Sequence, residues 1–153
     1  MRRPIAVLAV FALAASALAG FTAIASSATS KPATVKTGTS ALGRIVVDGQ
    51  SRTLYLFEKD KHGKSACSGA CATNWPPLLT KGKPVAGTGA KASLLGTTKR
   101  ADGTTQVTYN KHPLYTFVGD KGKRGATTGE GLNAFGAKWY VVAAKGTEKT
   151  GGY

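Results

Sequence analysis

Five short stretches of the chain place β-branched or aromatic residues close together. They are Leu42–Val47 (LGRIVV), Thr53–Glu58 (TLYLFE), Thr105–Tyr109 (TQVTY), Leu114–Val118 (LYTFV) and Trp139–Ala143 (WYVVA). Such runs favour extended backbone, because branched and aromatic side chains pack well on a pleated surface. Turn-forming residues separate them: Asp48-Gly49, Asp102-Gly103 and Asn110-Lys111-His112-Pro113. A shorter run at Ala92–Leu95 adds a possible sixth strand. Gly, Pro or Thr interrupts nearly every window of helical length, so no amphipathic helix is expected. The pattern predicts an all-β fold, a small sandwich or barrel-like domain.

In the second stretch, alternation puts Tyr55 and Phe57 on one face and Leu54 and Leu56 on the other. Both faces are apolar, so this strand is expected to be buried on both sides. The stretch TLYLFEKDK recurs as PLYTFVGDK at Pro113–Lys121. Each copy follows a strand and a turn, and each leads through an Asp-Lys pair and a Gly-rich loop to a tryptophan, Trp75 or Trp139. Two such hairpin units, at about 42–79 and 94–143, are expected to pack together, because one hairpin alone cannot bury its apolar face.

Asp60 and Asp120 stand three residues beyond Phe57 and Phe117, where each strand should end. An Asp there closes a turn by accepting backbone N–H bonds. The alternative is a cation ligand, but a hard cation needs six or more oxygens and too few acids lie nearby.

The ends of the chain read differently. Residues 1–25 carry two arginines, then an apolar run, then small residues ending in Ala-Ile-Ala. That is the layout of a cleaved secretory signal peptide. An uncleaved anchor is the alternative. Residues 26–40 (SSATSKPATVKTGTS) read as a flexible linker, 41–144 as the folded domain and 145–153 as a disordered tail.

Charge then bears on partners. Lys and Arg number 21 against 7 Asp and Glu, a formal charge of +14. For an exported protein this favours cell-wall polyanions or another anionic surface, and no specific nucleic acid. Two basic Gly-rich loops, Lys81–Lys91 and Gly119–Gly131, are the expected points of contact. Neither fits a phosphate-binding P-loop.

The only cysteines, Cys67 and Cys71, are expected to form a disulfide in an exported chain. Extended backbone would hold them too far apart, so CSGAC must be a turn or a helical turn. A copper site using Cys67 and Cys71 with His62 or His112, or a thiol-redox pair at the two cysteines, is the sharper alternative. Trp75-Pro76-Pro77 offers either an exposed aromatic platform or, by the stronger reading, a core tryptophan. No catalytic set and no cofactor emerge from the sequence, and a cell-wall-active enzyme is the weakest reading.

The doubled Tyr-x-Phe-x-x-Asp (Tyr55, Phe57, Asp60; Tyr115, Phe117, Asp120), the CSGACATNWPPLL block and the DGTTQVTYNKHPLYTF block together resemble a family of bacterial secreted-repeat proteins, often labelled lipoproteins with a Yx(FWY)xxD motif. The resemblance spans about Leu42 to Val142. It implies export and a repeated unit, and no established activity. A lipid anchor is not expected, because Leu18-Ala19-Gly20 is followed by Phe21 and not by Cys.

Overall fold

The computed structural model describes residues 31–149. Among the described residues nine strands make three small sheets: β1 (Thr34–Ser40), β2 (Gly43–Asp48), β3 (Tyr55–Phe57), β4 (Val85–Ala86), β5 (Leu95–Lys99), β6 (Thr105–Tyr109), β7 (His112–Pro113), β8 (Asn133–Ala134) and β9 (Ala137–Val141). The sheets run β2-β1-β4, β3-β9-β8 and β5-β6-β7. A five-residue helix, α1 (Ala70–Asn74), lies between β3 and β4. The fold is all-β in the sense the residue pattern predicts.

The two units are hairpins, β1–β2 and β5–β6, paired antiparallel along their full lengths. Each unit ends in a short extended segment, and the two units exchange these segments. The segment of the first unit (Pro77–Leu79) bridges Tyr115 and Gln106 of the second. The β9 segment of the second unit pairs with β3 of the first, Tyr55 against Val141 and Phe57 against Trp139. Backbone hydrogen bonds close a triangle at each exchange. Val46 N–H donates to Val142, Val142 to Leu54 and Leu54 to Val46. In the other unit Val107 donates to Leu78, Leu78 to Leu114 and Leu114 to Val107. These closed rings leave no unpaired amide among the buried residues they join.

The exchange explains the double-sided burial of β3. Tyr55 and Phe57 enter one apolar cluster with Ile45, Trp75, Tyr115 and Trp139. Leu54 and Leu56 enter a second with Val35, Val46, Val107, Tyr109 and Leu114. Each fully buried side chain of this size contributes roughly 1.5–3 kcal/mol.

Three expectations need correction. The flexible linker expected over 26–40 gives way to strand at Thr34, since Thr34–Ser40 is β1; its stretch before Lys31 lies outside the described residues, as does the expected signal peptide at 1–25. Only Val35 of β1 is fully buried, so the strand carries almost no apolar pattern. Its Thr and Val residues suit a half-exposed strand all the same. The tail expected to be disordered from 145 is ordered through Lys149. Ala143 N–H donates to Thr147 O and Lys149 N–H to Val141 O, folding the chain back on β9. Gly146 permits that turn. Its φ is +85°, and a Cβ there would come within 2.5 Å of Asn110 Cβ. Finally, Leu114–Val118 is not a continuous strand. Tyr115 makes two isolated bridges, and Val118–Asp120 is already a 3-10 turn.

Candidate functional site

The two copies of Tyr-x-Phe-x-x-Asp meet at the centre of the molecule. Tyr55 N–H donates to Tyr115 O at 2.8 Å, and Tyr115 N–H donates to Tyr55 O at 3.0 Å. This reciprocal pair marks a local pseudo-twofold. Across it, the side chains are exchanged as well. Tyr55 donates its phenol proton to Asp120 Oδ2 (2.8 Å), and Tyr115 donates to Asp60 Oδ2 (2.8 Å). Each tyrosine therefore binds the aspartate of the other copy.

The second oxygen of each aspartate closes the Gly-rich loop that follows it. Asp60 Oδ1 accepts from Ala66 N–H at 2.7 Å. Asp120 Oδ1 accepts from Thr128 N–H at 3.0 Å and Thr128 Oγ1–H at 2.7 Å. The acids do close turns, as their position suggests, but over six and eight residues. A hydrogen bond to a charged acceptor is worth about 1.5–3 kcal/mol.

Above the pair lies a ladder of four rings. Phe57 stacks on Trp139 (centroids 4.0 Å), Trp139 on Trp75 (4.0 Å, planes 3° apart) and Trp75 on Phe117 (4.1 Å). The pseudo-twofold falls between the two indoles. Each phenylalanine is covered by the tryptophan of the other copy. Tyr55 meets Trp75 edge-on at 5.3 Å, and Tyr115 meets Trp139 edge-on at 5.1 Å. Trp75 is 1% exposed, so it is a core residue and not a platform. Gly129 is required beside it, because a Cβ there would lie 2.7 Å from the indole.

Cys67 and Cys71 form a disulfide with Cα atoms 5.3 Å apart. The intervening residues turn, with Cys71 N–H donating to Ser68 O, and α1 starts within the loop. Trp75 N–H donates to Cys71 O at 2.7 Å, so the bridge fixes the helical turn that presents Trp75. Closing so small a ring stabilises by about 2 kcal/mol on the chain-entropy argument. Both sulfurs are taken up in this bond. Among the described residues no three His, Cys, Asp or Glu side chains gather as a metal site. His62 is exposed in the loop before Cys67, with φ +51°. His112 is half-buried on β7, and burial pushes its imidazole pKa down.

A polar network with no sequence signal surrounds Tyr115. Ser65 Oγ lies 2.7 Å from the Tyr115 phenol oxygen and accepts from Arg100 Nη1–H at 2.9 Å. Arg100 also donates to Gln106 Oε1 (2.7 Å) and Cys67 O (2.6 Å). Its guanidinium is almost wholly buried, 3.7 Å from Asp102. Burial raises the Asp60 carboxyl to about pKa 6, against the pull of Ala66 N–H and the Tyr115 phenol. A folded pKa above the ordinary 3.8 means that the neutral acid is the form the fold prefers. The stability from this preference is complete below about pH 4 and is lost as pH rises through about 6. Asp60→Asn is expected to flatten that part of the stability–pH profile. Carboxyl carbon-13 NMR titration of Asp60 should give a midpoint near 6; a midpoint near 4 would contradict the assignment.

A broad basic cleft of about 580 Å3 is walled by Lys31, Lys81 and Lys99 with Thr80, Thr104 and Thr105. A second cleft of about 430 Å3, which shares Thr105 with the first, bears Lys83. Asp102 is the one acid on this wall. Its carboxylate accepts from Thr104 N–H and Oγ1–H, which holds its pKa below the usual range. The first Gly-rich loop, Lys81–Lys91, thus contributes Lys81 and Lys83. The second places Lys121, Lys123 and Arg124 exposed, next in sequence to Asp120. Lys31 and Lys99 carry no such mark in the residues: Lys99 ends β5, and Lys31 is brought alongside by the chain entering β1, where Ala33 N–H donates to Thr80 Oγ1 and Ala33 O accepts from Val85 N–H.

A family model described as a secreted repeat of unknown function matches residues 36–79 and 96–143, more than half of the chain. The chain belongs to this family. The two matches begin within β1 and β5 and end at Leu79 and Ala143, which bridge Gln106 and Ile45 of the other hairpin. The repeat in sequence is therefore the unit that lends its last segment to its twin. Membership in a secreted family makes the protein extracytoplasmic, and among the described residues no helix is long and apolar enough to cross a membrane. No curated protein and no solved structure matches the chain.

Proposed function

We propose that this secreted repeat protein is a non-enzymatic binding module for an anionic polymer of the cell envelope. The observation that carries the reading is the cleft walled by Lys31, Lys81 and Lys99, whose single acid is already bonded to its own turn and lies beside Arg100. Three ammonium groups around an open cleft favour a chain of spaced negative charges over a single small anion. The exposed Lys121, Lys123 and Arg124 extend the positive surface on the other Gly-rich loop. The motif residues Tyr55, Phe57, Asp60, Tyr115, Phe117 and Asp120 act in this reading as the frame that sets the two loops.

Lys81→Glu with Lys99→Glu reverses charge on the cleft without touching the core. Wild-type protein is expected to be retained on purified wall polymer at low ionic strength and released as salt rises. The double variant is expected to pass through at low salt. Retention that ignores both salt and the two substitutions would sink the proposal.

A further inference from the structure

The ladder and the two tyrosine–aspartate pairs also form a constellation suited to electron transfer. Trp75 and Trp139 stack face to face at 4.0 Å. A tyrosine lies edge-on against each, and each phenol already hydrogen-bonds to a carboxylate able to take its proton. Tyr109 is a contrast: its hydroxyl donates to the Ala144 carbonyl, a poor proton acceptor. No softer group competes, since Met1 is the only methionine and both cysteines are spent in a disulfide.

We propose that the core is a one-electron relay, in which the stacked Trp75–Trp139 pair passes a hole to Tyr55 while the Tyr55 phenol proton moves to Asp120. The oxidant is an outer-sphere one-electron acceptor of the extracytoplasmic space, a metal complex or an organic radical. It gains one electron. The Tyr55 O–H bond breaks, an O–H bond forms on Asp120 Oδ2, and a neutral tyrosyl radical remains. A one-electron reductant reverses both transfers.

Access and electrostatics select Tyr55 over Tyr115. A small pocket of about 150 Å3 opens on Phe117, the outer ring of the ladder, and on Asp120. An oxidant seated there approaches the stack, and the transferred proton can leave to solvent. Arg52, which lines the same pocket, is paired with Asp48 at 2.7 Å. Around Tyr55, Asp120 and Glu130 supply negative charge that favours a hole. Tyr115 instead shares Ser65 with the buried Arg100 guanidinium, whose charge opposes one.

The test is flash oxidation of the purified protein by photogenerated tris(bipyridine)ruthenium(III), followed by transient absorption and electron paramagnetic resonance. The expected result is a tyrosyl radical that forms as a tryptophan radical decays, more slowly in deuterium oxide than in water. Tyr55→Phe should lose the tyrosyl signal and leave the tryptophan radical; Tyr115→Phe should keep it. Asp120→Asn, which preserves a hydrogen-bond acceptor but cannot take the proton, should slow its formation. A tyrosyl signal unchanged in Tyr55→Phe would overturn the proposal. So would a wild-type rate that is equal in the two solvents, which needs no variant to fold.

Discussion

Trp139→Ala is expected to lower the free energy of unfolding by about 3–5 kcal/mol, much of what a domain of this size possesses. Trp139 is fully buried and touches both copies of the motif. It stacks on Phe57 and Trp75, meets Tyr115 edge-on and donates its indole N–H to Ala134 O at 3.1 Å. Its removal opens a cavity at the pseudo-twofold, where backbone rings on both sides restrict collapse. Stacking geometry adds about 0.5–1.5 kcal/mol per aromatic pair beyond the area buried. Trp139→Phe should recover part of the loss by refilling the stack. Urea denaturation followed by circular dichroism reads both. A Trp139→Ala midpoint equal to that of wild type would mean that the ladder does not hold the two units together.

Cutting the chain between Thr88 and Gly89, both exposed, is expected to abolish folding of each half alone. The exchange predicts this. The first half keeps Pro77–Leu79 but loses β9, the partner of β3. The second half keeps β9 but loses the segment that bridges Tyr115 and Gln106. Neither half retains a closed backbone triangle, and each exposes the apolar face of its hairpin. Mixed in equal amounts, fragments 31–88 and 89–149 should reassemble and regain the near-ultraviolet dichroism of the packed indoles. Either half folding cooperatively by itself would refute exchange and favour two independent hairpin domains.

How much of this was legible in the residues varies with the kind of information. Alternation in TLYLFE gave the double-sided burial of β3, because period two is a local property of extended backbone. The C-x3-C spacing demanded a turn, and Cys67–Cys71 closes one. The recurrence of Tyr-x-Phe-x-x-Asp indicated duplication, but nothing local says that Tyr55 binds Asp120 and not Asp60. That choice depends on which segment pairs with which hairpin, a non-local matter. Strand β1 was hidden for a different reason. TVKTGTS buries only Val35 fully, so its apolar pattern is that of a linker even though its backbone pairs residue for residue with β2. Arg100 was invisible as well, since one arginine among 21 basic residues carries no mark of burial.

The central claim is that the two copies complete each other through crossed tyrosine–aspartate bonds. Double-mutant cycles test it most directly. Tyr55→Phe, Asp60→Asn and Asp120→Asn are made singly, and Tyr55→Phe is combined with each aspartate change. The crossed geometry predicts a coupling of about 1.5–3 kcal/mol between Tyr55 and Asp120, the range for a hydrogen bond to a charged group. It predicts a coupling near zero between Tyr55 and Asp60. Coupling confined to Tyr55 and Asp60 would contradict the account, since it would mean that each copy of the motif closes on itself.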